Sequence, residues 1–171
     1  MAKNKLGPVV SSAHLAESSF PEVSEFEFGL IVAGNGFYRW MTRAMAAAGF
    51  PELSAFDVLV LHTVRHRDRE KTLADICLVL NVEDTHTVNY AVKKLKSAGL
   101  VSDGRRGKEK SVKATELGRE ACSKYAEVRE QLLLDAAHTA GLPADKASEL
   151  AGILRLMSGL YDQAARAATV V

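Results

Sequence analysis

Residues 72–101 read TLADICLVLNVEDTHTVNYAVKKLKSAGLV, and two helices fit this stretch with a turn between them. The side chain of Thr72 can cap the first, Asp75 sits in its favourable first turn, and Leu73, Ile76, Cys77 and Leu80 give about two turns one apolar face. In the second, Val88, Ala91, Val92 and Leu95 recur at i, i+3, i+4 and i+7, which predicts a buried stripe, and Gly99 ends the helix. At 100° per residue the opposite face consists of His86, Asn89, Tyr90 and Lys93, with Lys94 at its margin. No carboxylate lies on it. A solvated helix face ordinarily mixes both signs for pairing one turn apart. Imidazole, amide, phenol and ammonium groups together suit phosphates and base edges instead. The competing reading is a merely exposed face.

The following residues favour the first reading. Residues 100–102 can form a strand, 103–107 hold two glycines suited to a turn, and 110–115 alternate, with Val112 and Ala114 on one side and Ser111 and Lys113 on the other. This is a small β-hairpin with Arg105, Arg106 and Lys108 at its tip. Between residues 85 and 113 eight Lys or Arg face two acids, an excess of six in a chain of net charge +1, so the remainder is net negative. Fixed cations gathered in one place can replace phosphate counterions, which is the salt-sensitive part of nucleic-acid affinity.

The 72–101 stretch, the basic hairpin and the ATELGREA that follows at 114–121 resemble the MarR family of bacterial regulators. The matching features are a first motif helix, a recognition helix, a Gly-Leu-Val entry into the wing, and a Thr-x-x-Gly step into the next helix. The resemblance implies a mainly α fold with a small β-hairpin wing, a winged helix-turn-helix with long flanking dimerisation helices. It further implies that His86, Asn89, Tyr90 and Lys93 enter the major groove and that Arg105, Arg106 and Lys108 act from the wing. The chain departs from the family in a shorter wing, with Gly-Arg-Arg-Gly at its tip in place of Asp-Arg-Arg, and in a turn at 82–84 that is long by one residue. Many relatives release DNA on binding small aromatic acids between the winged domain and the helical frame, so Tyr38, Arg39 and Trp40 are candidate effector residues.

The rest of the chain supplies that frame. Residues 1–20 lack a sustained period and read as a mobile tail, and 21–171 read as one domain, with the winged part at about 54–115 and dimerisation helices at about 24–48 and 116–168. Ser24 and Glu27 have capping-box spacing ahead of Phe26, Leu30, Ala33, Phe37, Trp40, Ala44 and Ala48. Gly29, Gly34 and Gly36 within that helix predict either close packing or a kink. A helix from Ser54, with Leu53 and Val58 as a hydrophobic staple, frays in the polar run 65–70. Thr115 can cap a long helix carrying Leu117, Ala121, Tyr125, Val128 and Leu132 to near Gly141, and Pro143 opens another lined by Leu150, Ile153, Leu154, Met157, Leu160 and Tyr161. Such helices hold more apolar surface than a small winged domain covers, which predicts a homodimer reading a palindromic operator.

Other classes find little support. No apolar run approaches the roughly 20 residues of a membrane span and no secretory pattern opens the chain, so a cytoplasmic protein is expected. Cys77 and Cys122 stand far apart and read as small buried residues, Cys77 with a thiol of raised pKa. His62 and His66 are one turn apart, but HTVRH lacks the Glu of a metalloprotease motif and Arg65 and Arg67 disfavour a cation, so a solvated pair is expected. No glycine-rich phosphate loop, nucleophile elbow or acid pair stands out. Neither enzyme activity nor a cofactor is expected. The function read from the sequence is a DNA-binding transcriptional regulator, a dimeric repressor released by a small effector; the alternative is a winged-helix module that binds protein.

Overall fold

The computed structural model describes residues 7–170, and the expectation for residues 1–6 lies outside them. Mainly helical with one β-hairpin, the chain divides into two compact units, Met1–Val128 and Arg129–Val171. The single unit expected over residues 21–171 is thus split near the middle of its long penultimate helical stretch.

The first unit runs α1 (Ala13–Ala16), α2 (Pro21–Ala47), α3 (Ala55–Arg65), α4 (Leu73–Leu80), α5 (Thr85–Ser97), β1 (Val101–Arg106), β2 (Glu109–Ala114) and all but the last residue of α6 (Glu116–Arg129). Helix α2 starts three residues before the expected cap, because Pro21 is preset for the first helical position. Ser24 lies inside it and donates its hydroxyl to Leu15 O at 2.7 Å, tying down a helical turn, α1, within the stretch expected to be a mobile tail. The buried apolar residues of α2, Met41, Ala44 and Met45, lie at its C-terminal end, followed by the buried cap residue Ala48, while Leu30, Ile31, Val32 and Phe37 remain exposed. The helix passes Gly29 and Gly34 unbroken, and a Cβ at either would meet no described atom within 4 Å.

Helix α3 is the central strut. Its capping box is complete, with Asp57 N donating to Ser54 Oγ and Ser54 N to Asp57 Oδ2. Val58, Val60, Leu61 and Val64 are almost wholly buried, against α2, α4, α5 and β2. At about 1.5–3 kcal/mol for each such side chain, this helix anchors the unit. Instead of fraying, α3 runs into a 3-10 turn, His66–Asp68, in which Arg67 and Asp68 are left-handed (φ 58° and 49°).

Thr115 caps α6 as expected, accepting from Gly118 N at 3.1 Å and donating to Gly99 O at 2.7 Å. A Cβ on Gly118 would lie 2.0 Å from Leu100 O, so this helix start admits only glycine without rearrangement. The second unit follows α6 with a π-helical turn, Glu130–Leu134, then α7 (Asp135–Thr139) and α8 (Ala144–Ala168). The uniform helix expected to near Gly141 is thus interrupted by wider turns. No described residue of α8 is buried, and Leu150, Ile153, Leu154 and Leu160 of its apolar stripe are exposed.

Candidate nucleic-acid interface

Helices α4 and α5 form the helix-turn-helix. Thr72 and Asp75 make a full capping box at the start of α4. Its end is set by Asn81 in the left-handed conformation (φ 53°), with Val82 N donating to Cys77 O at 2.9 Å. The turn therefore occupies residues 81–84, one earlier than the 82–84 read from sequence, because Asn81 leaves the helix while keeping capping bonds. Asp84 then caps α5, accepting from His86 N at 2.8 Å and from Thr87 Oγ1 at 2.9 Å. The His86 backbone bond, then the Thr87 hydroxyl, hold the Asp84 carboxyl below its ordinary pKa.

With the start fixed at Thr85, the buried residues of α5 are Val88, Ala91, Val92 and Leu95, the four of the expected stripe. His86, Tyr90 and Lys93 are exposed, Tyr90 to 73%, and Asn89 is half-buried between them and the core. Lys94 turns the other way. Its Nζ donates to Asp57 Oδ2 and to Glu52 O, each at 2.7 Å, and the Asp57 side chain is only 4% exposed. This residue fastens α5 to the cap of α3. A cleft of about 600 Å³ opens beside that pair, with Phe56, His86 and Tyr90 among its walls.

The wing is longer and more ordered than the sequence implied. Its strands pair from Val101↔Ala114 to Arg106↔Glu109, leaving only Gly107 (φ 64°) and Lys108 for the turn. Arg105 and Arg106 therefore lie within β1, and residues 103–106 are strand, not turn. Two-residue turns require positive φ, which Gly107 supplies freely. Lys71 adds a third, single-residue strand by exchanging backbone bonds with Val112 at 2.8 and 2.9 Å. Ser111, expected to face outward beside Lys113, is instead buried and donates to Glu70 Oε2 at 2.6 Å. A Cβ at Gly104 would lie 2.7 Å from that carboxylate, so Glu70 crosses the hairpin where glycine leaves room.

Ion pairs divide the basic residues of 85–113 into two sets. Lys94 is held by Asp57, Lys96 by Asp103, and Arg106 by Asp75 at 2.8 Å with Glu109 at 3.6 Å. The Thr72 backbone bond and then its hydroxyl and Arg106 keep the Asp75 carboxyl below its usual pKa. Lys93, Arg105, Lys108, Lys110 and Lys113 are exposed and make no ion pair or side-chain hydrogen bond among the described residues. Arg105 stands opposite Lys110 in the hairpin, a like-charge pair that costs stability and holds two cations together at the surface.

The candidate effector residues are not brought together. Consecutive on α2, they fan round the helix: Tyr38 and Arg39 are exposed, while Trp40 packs on the core with its Nε1 buried and unpartnered among the described residues. Nor is His62 solvated, as the sequence suggested. Its ring meets Tyr125 edge-on at 4.7 Å and its pKa is lowered by burial, whereas His66 is exposed in the 3-10 turn. Cys77 and Cys122 are both buried, and burial pushes the Cys122 thiol up to about 11.

Residues 53–118 match the family described as a winged helix DNA-binding domain. No curated protein matches the chain. Among solved structures it is similar to a mutant MarR from E. coli complexed with operator DNA, at 20% identity and TM-score 0.64 over 82% of this chain and 98% of that one. A MarR-family transcriptional regulator from Rhodococcus sp. RHA1 gives 21% and 0.61 over 79% and 93%. CouR from Rhodococcus jostii RHA1, bound to p-coumaroyl-CoA, gives 17% and 0.63 over 79% and 92%. Residues 53–118 thus match a winged helix DNA-binding domain, and the chain has the fold seen in MarR-family transcriptional regulators, as the sequence resemblance implies.

Proposed function

We propose that this chain, a winged helix protein with the MarR fold, is a transcriptional regulator that binds double-stranded DNA in a sequence-specific way as a homodimer. One observation carries the reading: the outward face of α5 and the wing present Lys93, Arg105, Lys108, Lys110 and Lys113 without counterions among the described residues. A protein that kept so many cations unpaired only for solubility would interleave acids among them. In the proposed complex α5 lies in the major groove, where Asn89 pairs with an adenine edge and His86 and Tyr90 contact neighbouring bases. Lys93 and the wing residues Arg105 and Lys108 meet the phosphate backbone.

Exposed apolar stripes support self-association. Leu30 and Phe37 on α2, and Leu150, Ile153 and Leu154 on α8, are side chains that a monomer leaves to water. A two-fold pair of recognition helices would read a palindromic operator. Repression relieved by a small aromatic effector is the finer part of the proposal, in keeping with the acyl-CoA bound by CouR. The indole N–H of Trp40, buried and without a hydrogen-bond partner among the described residues, is a candidate donor for such a ligand.

The test is selection of bound duplexes from a randomised library by the full-length protein. A palindromic consensus is the expected outcome; a protein that retains no duplex above background, or retains all sequences equally, overturns the reading.

A further inference from the structure

Between α3 and α4 the chain reads R65-H-R-D-R-E-K71, which alternates sign too evenly to predict a binding surface. The structure sorts these charges. Asp68 is drawn back to Arg65 at 3.5 Å and to Arg119 of α6 at 3.4 Å. Glu70 passes over Gly104 to accept from the buried Ser111 hydroxyl. Arg67 and Arg69 are left exposed, with no ion pair among the described residues. The sorting depends on an unfavourable backbone: Arg67 and Asp68 are both left-handed, which non-glycine residues adopt at a cost and which concentrates at functional positions. Lys71 clamps the turn, its Nζ donating to His66 O at 3.0 Å and to Arg69 O at 2.8 Å.

This turn adjoins the wing. Arg67, Arg69 and Lys71 share a cleft of about 300 Å³ with Arg106 of β1 and with Leu78 and Val79 of α4, which are 83% and 63% exposed. Of the four cations there, Arg106 is paired with Asp75 and Lys71 is bound to backbone carbonyls, and Glu70 is engaged by Ser111, so Arg67 and Arg69 are the two left to meet an anion. We propose that the 66–71 turn is a second phosphate-binding surface, on which Arg67 and Arg69 take the DNA backbone flanking the segment met by the wing. Leu78 and Val79 offer apolar contact to the sugars between those phosphates. DNA is favoured over an acidic protein because the cleft is continuous with the wing through Arg106. The inference rests on the DNA-binding reading above.

The experiment measures binding of the full-length protein to a mixed-sequence duplex of about 40 base pairs between about 50 and 200 mM salt, where the slope of log K against log[salt] counts neutralised phosphates. Arg67→Asn with Arg69→Gln is the test variant, since Asn tolerates the left-handed conformation better than Ala. Arg67→Lys with Arg69→Lys is the charge-keeping control, and Lys108→Ala the wing comparison. The expected result is a slope shallower by about 2 for the Asn/Gln variant, near wild type for the Lys/Lys variant, and shallower by about 1 for Lys108→Ala, with unchanged circular dichroism. A wild-type slope for Asn/Gln alongside a reduced slope for Lys108→Ala overturns the second surface, with an acidic protein partner then the better reading, and leaves the DNA reading standing. No measurable duplex binding by the wild-type protein overturns both.

Discussion

Replacing Lys94 by Met separates a structural strut from a DNA contact, two roles that helical phase alone leaves open at the margin of α5. The substitution keeps the stem and removes an ammonium that donates to Asp57 Oδ2 and Glu52 O, each at 2.7 Å. Asp57 then retains the Ser54 backbone N–H at 2.8 Å and hydroxyl at 2.7 Å, but its carboxylate has lost its counterion while only 4% exposed. Breaking a fully buried pair from one side costs about 3–5 kcal/mol. Here the Lys94 end is 33% exposed, so water partly replaces the ammonium and the expected loss is about 2 kcal/mol. For a chain of this size that lowers Tm by about 4–8 °C.

Calorimetry on wild type, Lys94→Met, Asp57→Asn and the double variant completes the cycle. The two single effects should exceed additivity by more than about 1 kcal/mol, because each removes the same contact. Duplex binding supplies the opposite arm: a strut leaves the salt slope unchanged, whereas a phosphate contact lowers its magnitude by about 0.9. A Lys94→Met protein that melts within about 0.5 kcal/mol of wild type and loses one unit of salt slope refutes the assignment.

Three further outcomes follow from the same geometry. Arg105→Ala with Lys108→Ala should make the salt slope shallower by about 2 without changing Tm, while Arg106→Ala, which breaks the bond to Asp75, should lower stability by about 1 kcal/mol and leave the slope nearly intact; equal slopes for the two proteins would contradict the division of the wing. Burial holds the His62 imidazole below its ordinary value of about 6.5, so its contribution to stability is complete above that pH and is lost as pH falls through the lower folded value. His62→Phe, which keeps an aromatic edge against Tyr125, should flatten the acid limb of a Tm-against-pH curve, and parallel curves would count against it. Gly118→Ala places a methyl 2.0 Å from Leu100 O and should cost about 3 kcal/mol by chemical denaturation; a neutral result would mean that the α6 start shifts freely.

Much of this fold is legible in the sequence because it is written in local chemistry. Ser54 with Asp57 and Thr72 with Asp75 fix two helix starts through bonds between residues three apart, and the 3.6-residue period fixes which side of α5 is buried. The wing is less legible. Gly104 looks like turn material, yet it serves as the space through which Glu70 reaches Ser111, a contact across 41 residues that no local pattern announces. The single-residue strand at Lys71 is likewise invisible until Val112 is beside it. Charge is legible in amount but not in disposition, since the partners of Lys94 and Arg106 lie 37 and 31 residues away.

Those partners share a design. Asp57 and Asp75 each occupy the third position of a helix capping box, where backbone bonds and the positive end of the helix already favour a carboxylate. Each then reaches one element of the proposed interface, Asp57 taking Lys94 of the recognition helix and Asp75 taking Arg106 of the wing. A capping acid is a good anchor because its orientation is set before the distant cation arrives, so little further conformational freedom is lost on pairing. The two most N-terminal turns of α3 and α4 thereby set the placement of α5 and the hairpin relative to one another within the winged domain. The cations proposed to bind DNA and the anchoring cations are consequently neighbours in sequence, Lys93 beside Lys94 and Arg105 beside Arg106, with different surroundings decided by the face each one takes. In a strand successive side chains alternate faces, and in a helix they turn by 100°, so adjacent positions are where such a division has to occur.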